Sequence, residues 1–538
     1  MFWADRTALT VAKKYEAKIT SGKPLVIHDE KTASGRVHVG SLRGVAVHGI
    51  MSEVLLEKGI KNTFLYEIND FDPMDGLPTY LDEKKYKEHM GKPLYAVPSP
   101  DGKAKNFAEY FGQEFIAVIK DLGFQPEFYR LFEQYKAGKF NTVIRLALEN
   151  VDIIRAIYRD VSGSVKDDDW MPLQVVCEKC GKIGTTKVQT FDGEKVTYMC
   201  AKDLVVWAQG CGHAGMISPY DGNAKLPWKV EWAAKFAVFD VDIEGAGKDH
   251  STKGGSRDIA EAIAKKVFNH QPPFNIPYEF LHVEGKKMSS SKGTGVSSRE
   301  MADLLPKEIL RLLLLKEPKR VVDFVPDGDT VPVLYDTYDR MAKAYFAKEE
   351  NDNARIFQLL HDPQSRAELK DRFLPRFSQI AFLVQMPHVR IYDAVSAIKK
   401  SELTKEDKKE VDHRAKYAKL WLEKYAPEEQ KFELYEKAVP DAVKGFTKEQ
   451  KKALTLLLTY VRSKEKLDGQ ELHTKLHEIK EETGIAPEDF FSAIYLSFLG
   501  KSYGPKAGWF FSVLDKPFLE KRLQEVITEG KKYEEKRS

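Results

Sequence analysis

Two short segments of this chain carry residue types suited to gripping a polyphosphate. The first is Thr32-Ala33-Ser34-Gly35-Arg36-Val37-His38-Val39-Gly40-Ser41, and the second is Lys286-Lys287-Met288-Ser289-Ser290-Ser291-Lys292-Gly293. A nucleoside triphosphate needs close backbone approach on one side and mobile cations on the other. In the first segment Gly40 lets phosphate near the backbone and His38 can donate a hydrogen bond, provided a helix starts there with its unpaired N–H groups facing the anion. In the second, Lys286, Lys287 and Lys292 bracket a methionine and three serines ahead of Gly293-Thr294-Gly295, a pattern for ammonium groups on a loop that closes over a ligand. Taken singly, a capped helix with a packing glycine and a solvated basic loop account for the same residues. Together, in this order, they argue for one ATP site.

Such a site needs a strand, a turn and a helix to hold it. Residues 24–27 (PLVI) read as a buried parallel strand, followed by a small-residue turn at Ser34 and Gly35. Leu42, Ala46, Ile50 and Val54 then recur every four residues beside Val47, Met51 and Leu55, and Glu57-Lys58-Gly59 supplies a polar last turn and a glycine stop. Residues 63–68 (TFLYEI) read as a second strand. From about 71 to about 215 the alternation breaks into helices at 106–121 and 141–160 plus a cysteine cluster, which looks like an insertion. It resumes with Ala237-Val238-Phe239-Asp240, a helix at 256–270 and a strand at 278–283, directly before the lysine segment. Both motifs then lie at the carboxyl ends of parallel strands, where open α/β sheets bind ligands.

Beyond about residue 300 the pattern is nearly all helical. Leu304, Leu305, Ile309, Leu310 and Leu312 to Leu315 read as one apolar helix, and residues 451–461 and 490–499 keep the 3.6-residue period. The expected fold class is therefore α/β: a Rossmann-type parallel-sheet domain split by an inserted domain, followed by an all-α C-terminal domain. The expected divisions are 1–70 and 216–293 for the two halves, 71–215 for the insertion, 294–345 for a helical connection and 346–538 for the helical domain. The basic stretch 399–424, with Tyr417 and Trp421 interleaved, could track phosphate and stack a base, although a solvated helix explains it better. The loop Gly500-Lys501-Ser502-Tyr503-Gly504-Pro505-Lys506-Ala507-Gly508-Trp509 is the stronger nucleic-acid candidate, with glycines, cations and two aromatics.

The only cysteines, Cys177, Cys180, Cys200 and Cys211, begin as a C-x-x-C knuckle and close at Cys211-Gly212-His213. This spacing favours a tetrahedral structural zinc over disulfides. Replacement of Cys211 by His213, or four free thiols, are the alternatives.

The 538 residues, 42% of them hydrophobic, suffice for three or four domains with ample cores. With 84 Lys and Arg against 81 Asp and Glu, any nucleic-acid binding must come from local patches. The N-terminus lacks an apolar signal core and no stretch approaches about 18 uninterrupted apolar residues, so the expectation is a cytoplasmic protein without membrane partners.

The paired segments resemble the HIGH and KMSKS signatures of class I aminoacyl-tRNA synthetases. Ser41 stands where the pattern ends in His, and Ser290 stands for its second Lys, with Lys292 two positions on. The first strand holds no arginine for a carboxylate substrate but offers His28-Asp29-Glu30, which suits a substrate carrying an ammonium group. Trp228-Lys229-Val230-Glu231-Trp232, Gly245-Ala246-Gly247-Lys248-Asp249-His250, Tyr278-Glu279-Phe280, the lysine segment and residues 500–509 are similar to those of the class I lysyl-tRNA synthetases. The resemblance implies a lysine pocket of Glu30, Thr32, Trp228, His250 and Tyr278. It implies an ATP site in which His38, Ser41, Lys287 and Lys292 serve the phosphates, Gly247 and Asp249 meet the ribose, and Gly40 and Ser289 line the nucleotide. It implies lysine, ATP with magnesium, and tRNA(Lys) as ligands, with no DNA or membrane partner. A glutamyl or other class I synthetase, or a small-molecule adenylyltransferase, shares the nucleotide motifs.

Overall fold

A computed structural model describes residues 1–283, 295–386, 389–436 and 440–535, and the lysine segment lies outside the described residues. The chain divides into two compact units. One comprises residues 1–325 with 340–369, and the other 326–339 with 370–538.

The first unit is built on a parallel sheet. Strand β1 (Leu25–Thr32) pairs with β2 (Asn62–Asn69) from Leu25↔Asn62 to Thr32↔Asn69, and β2 pairs with β3 (Glu127–Arg130). Parallel bridges Ile27↔Ile243 and Ile243↔Phe274 continue the sheet on the other side of β1. The expected first strand was too short: β1 runs on through His28-Asp29-Glu30, so its alternation sends these side chains to opposite faces.

Between β1 and β2 runs the helix Leu42–Glu57. Nearly all its residues from Leu42 to Leu55 are buried, so it is a core helix and not an amphipathic surface one. That burial also explains why the stretch Val39–Glu57, apolar and long enough to span a bilayer, is 78% enclosed by protein. Gly49 is required there, since a Cβ would stand 2.4 Å from the Phe124 ring. The helix stops as read, with Gly59 at φ +76°.

The segment expected as an insertion contributes β3 to the sheet, so the chain leaves and re-enters this domain more than once. Within it lie the helix Phe107–Asp121 and a second helical stretch that breaks at Asn150 into Asn141–Glu149 and Val151–Ser162. Then follows a three-stranded antiparallel sheet, Thr186–Phe191, Val196–Cys200 and Ala214–Ile217.

Three local expectations are corrected. Ala237 and Val238 end a helix, Trp228–Val238, and do not start a strand. Four apolar-rich residues do not by themselves separate a strand from a helix end, and here Glu231 and Lys235 pair one turn apart within the helix. The leucine-rich run is two helices, Ser298–Leu304 and Lys307–Leu314, because Pro306 carries no N–H to continue the first. Val322–Phe324 is a strand, parallel to Leu281–Val283, inside the region expected to be helical.

The second unit has no strand among its described residues. Its core is formed by Leu454, Leu457, Leu458 and Val461 of the helix Lys448–Ser463 with Leu472, Leu476 and Ile479 of Gly469–Thr483 and Phe490 and Phe498 of Pro487–Leu499. In the helix Lys405–Lys424, Trp421 is buried and donates its Nε1–H to the Pro326 carbonyl at 2.8 Å, and Arg414 is buried on Asp339 and Glu410. Trp421 therefore packs in the core and offers no stacking face. In the loop after Leu499, Lys501 donates to the carbonyls of Glu428 and Lys431, and Trp509 packs edge-on against Phe382 at 5.0 Å. Tyr503 stays 41% exposed.

Candidate active site

The first motif forms the turn between β1 and its crossover helix. His38 has extended backbone, Val39–Ser41 is a single 3-10 turn, and the Ser41 N–H donates to the His38 carbonyl at 3.1 Å. A Cβ on Gly40 would lie 2.9 Å from His38 Nδ1 and 3.3 Å from the Leu281 carbonyl oxygen, so only glycine fits.

The turn therefore lies close to the strand Leu281–Val283, which leads into residues 284–294. On the far side of that segment the turn is hydrogen-bonded. Val39 N–H donates to the Val296 carbonyl at 3.0 Å, Ser298 N–H to the Val37 carbonyl at 2.8 Å, and His38 pairs with Ser297 as an antiparallel bridge. The residues after this segment are thus fastened to the His38 turn and those before it lie beside the turn, while Lys287, Ser289 and Lys292 themselves lie outside the described part.

Alternation on β1 sends His28, Glu30 and Thr32 to one face. Thr32 Oγ1 donates to Asp72 Oδ2 at 2.7 Å. Glu30 accepts from Lys235, a fully buried lysine of the helix Trp228–Val238 whose ammonium also meets Glu67 Oε1 at 2.7 Å and Glu231 Oε2 at 3.5 Å. Glu231 passes on to Lys225 at 2.6 Å, and Lys225 to Asp72 Oδ1 at 3.1 Å. Burial works against ionisation of Asp72, but Lys225 and the Thr32 hydroxyl hold its carboxyl below the ordinary range. His28, Glu30 and Glu67 lie close enough together to hold a metal ion, yet the Lys235 ammonium already fills that role between the two carboxylates.

The Tyr129 hydroxyl stands between Glu67 Oε2 at 2.8 Å and His28 Nε2 at 2.7 Å. His28 Nδ1 faces Glu244 Oε2 at 2.8 Å, a contact that favours the charged ring. Burial opposes this charge; Glu244 outweighs it and raises the imidazole above its ordinary value. Glu244 also accepts from Trp232 Nε1.

Trp232 leads to the aromatic residues of the expected pocket. Trp228 stacks on it at 5.8 Å, and His250 stands edge-on to Trp228 at 5.1 Å. Trp228 remains 38% exposed, unusual for a tryptophan whose only task is packing. The Tyr278 hydroxyl stands near Asp29 and the start of the helix Leu42–Glu57: a Cβ on Gly44 would be 2.7 Å from that hydroxyl and 3.0 Å from Asp29 Oδ2. Gly247 pairs with Tyr278 as a parallel bridge, Lys248 N–H donates to the Tyr278 carbonyl at 2.9 Å, and Asp249 Oδ1 would lie 3.0 Å from a Cβ on Gly247.

Sequence reading missed Lys235, Glu67, Glu231, Lys225 and Asp72. A signal was present in the helix, where Glu231 and Lys235 stand one turn apart among Trp232, Ala233, Ala234 and Phe236. Two opposite charges in an otherwise apolar helix point to a buried pair.

The four cysteines converge. Cys177 Sγ is 3.7 Å from Cys211 Sγ, Cys180 Sγ is 3.7 Å from Cys200 Sγ, and all four sulfurs lie within 4.8 Å of one another. A tetrahedron with metal–sulfur bonds of about 2.3 Å has sulfurs about 3.8 Å apart, whereas a disulfide needs about 2.05 Å. The knuckle turns at Gly181 (φ +71°), and the Cys211 N–H donates to Cys200 Sγ at 3.3 Å. The His213 ring is outside the cluster; its backbone carbonyl accepts the Cys200 N–H at 2.8 Å.

Comparison with known proteins bears on this geometry. The family model described as "tRNA synthetases class I (K)" matches residues 1–362. A lysine–tRNA ligase of Methanosarcina barkeri (strain Fusaro / DSM 804) is 35% identical over 97% of each chain, and lysine–tRNA ligase 1 of Methanosarcina acetivorans is 36% identical over 98% of this chain and 99% of that one. The lysine–tRNA ligase of Archaeoglobus fulgidus is 31% identical over 98% of this chain and all of its own. With the family model spanning residues 1–362 and relatives 31–36% identical matched from end to end, the chain belongs to the class I tRNA synthetases of the (K) family.

Proposed function

We propose that the protein is a lysine–tRNA ligase: it activates L-lysine with ATP to lysyl-adenylate and transfers the lysyl group to the 3′ end of tRNA(Lys). The observation that carries this reading is the bonding of residues 296–298 to the His38 turn, with Gly40 beside the Leu281 carbonyl, which supports a single triphosphate site served by both motifs. No protein nucleophile is required. The lysine carboxylate attacks the α-phosphorus, pyrophosphate leaves, and the terminal ribose of tRNA then takes the acyl group, so the chain's part is alignment and stabilisation of developing charge.

In this reading His38, Ser41 and the backbone at Gly40 serve one side of the phosphates, and Lys287, Ser289 and Lys292 the other. Gly247 and Asp249 meet the ribose. Glu30, Thr32, Trp228, His250 and Tyr278 bind lysine, with aromatic faces against its stem and carboxylates facing its ammonium. Magnesium would come with the nucleotide. The four cysteines would hold zinc as a closed, structural site in an inserted domain that meets the acceptor end, and the helical second unit would read the anticodon. A cytoplasmic setting fits the reduced thiols such a site needs.

Lysine-dependent pyrophosphate exchange, run with and without tRNA, tests the assignment. Lysine is expected to support exchange and glutamate to fail; the reverse would overturn it. His38→Ala is expected to slow adenylate formation at least about tenfold, a loss of about 1.4 kcal/mol of transition-state stabilisation. An unchanged rate in single-turnover measurements would remove His38 from the phosphate site.

A further inference from the structure

The charge beneath the proposed lysine pocket does not balance. Four carboxylates, Glu30, Glu67, Glu231 and Asp72, share two ammonium groups, Lys225 and Lys235, while His28 and Glu244 cancel one another. Glu67, Glu231, Lys225 and Lys235 are all buried, so solvent compensates this excess poorly. Glu30, with a side chain 22% exposed, is the member of the Lys235 cluster through which the excess reaches the pocket.

We infer that Glu67 and Glu231, which cannot touch the ligand, are positioning residues that set the pocket's preference for a cationic side chain: they draw on Lys235, leaving Glu30 with charge that only an incoming ammonium neutralises. This rests on the lysine reading above and assigns it a mechanism of selectivity. A lone Glu30 fully neutralised by Lys235 would accept an uncharged side chain almost as readily. With three carboxylates around one ammonium, an uncharged ligand leaves buried negative charge unpaired, and a cationic one relieves it.

The state of Glu67 is consistent with an excess of negative charge. Burial pushes its carboxyl up to about 7; Lys235 opposes this, and Glu30 and Glu231 reinforce it. The groups that face it are His28 and Glu30 from β1, Tyr129 from β3, and Glu231 and Lys235 from the helix. Lysine affinity should therefore rise between pH 6 and pH 8, as Glu67 ionises and adds to the charge an ammonium must answer.

The test is calorimetric binding of lysine, and of an analogue carrying a methyl group in place of the ε-ammonium, to the full chain and to Glu67→Gln and Glu231→Gln. Each substitution keeps side-chain size and a carbonyl acceptor. Lysine is expected to bind Glu67→Gln about tenfold more weakly and Glu231→Gln more weakly in the same direction. The uncharged analogue should bind both within about twofold of the unsubstituted chain, and the pH 6 to 8 rise should vanish in Glu67→Gln. Equal weakening of lysine and analogue would reduce both residues to packing, and lysine affinities within twofold of the unsubstituted chain would overturn the inference. If Glu67→Gln does not fold, Glu231→Gln and the pH profile of the unsubstituted chain decide, a flat profile counting against. An unsubstituted chain that binds and activates no lysine is a different failure, that of the functional reading itself.

Discussion

Cys200→Ser is expected to release the metal from the cysteine cluster and to open the segment between the knuckle at Cys177 and the strand Ala214–Ile217. Cys200 sits at the centre of this arrangement: its sulfur is 3.7 Å from Cys180 and accepts the Cys211 N–H, while its backbone N–H pairs with the His213 carbonyl. The thiols are not equivalent. Burial pushes Cys180 up to about 12, whereas at Cys211 burial is outweighed by the His213 N–H and neighbouring thiols, which hold it at about 7. Four adjacent thiolates are stable only around a cation, and structural zinc sites contribute on the order of 10 kcal/mol of binding free energy that is also folding free energy. Metal analysis should find one zinc per chain, lost in Cys200→Ser, with protease cleavage appearing between residues 177 and 217. A protein prepared under reducing conditions with no zinc and no response to chelator would refute the assignment. The antiparallel sheet shares Val188, Val196 and Tyr198 with the larger core, so the damage should stay local.

Arg311→Met is expected to destabilise the first unit by about 3–5 kcal/mol, the usual cost of removing one partner of a buried ion pair. Arg311 is fully buried. It meets both oxygens of Glu53 at 2.9 and 3.0 Å, donates to the carbonyls of Leu122 and Leu359, and lies over the Phe124 ring at 4.3 Å. Its removal leaves those carbonyls unpaired and Glu53 dependent on Arg366 alone. Because Glu53 belongs to the helix that starts at the His38 turn, the loss loosens the element on which the proposed phosphate site depends. Denaturant unfolding should show a lowered midpoint; a change below about 1 kcal/mol would mean that Arg366 suffices.

Local chemistry was legible in the sequence. The turn and stop of the helix Leu42–Glu57, the second strand and the helices of the second unit follow from periodicity and glycine placement over short stretches. The convergence of four cysteines follows from a knuckle and a close return. The errors arose where a short run is ambiguous or where a neighbour far along the chain decides. Residues 237–240 were assigned to a strand although a helix ends there, and Trp421, read as a possible base-stacking face, is in the core on Pro326.

The amino-acid sequence by itself determined which groups suited to phosphate, to a cation and to thiolate ligation this protein carries, because each set is held by a few residues close in the chain. The tertiary structure alone decided which charges meet. Glu30, Glu67 and Lys235 come from two strands and a helix, and no local period records that a buried ammonium would stand between two carboxylates. Electrostatic balance depends on distance and burial in space, and those exist only once the sheet and its helices have closed on one another.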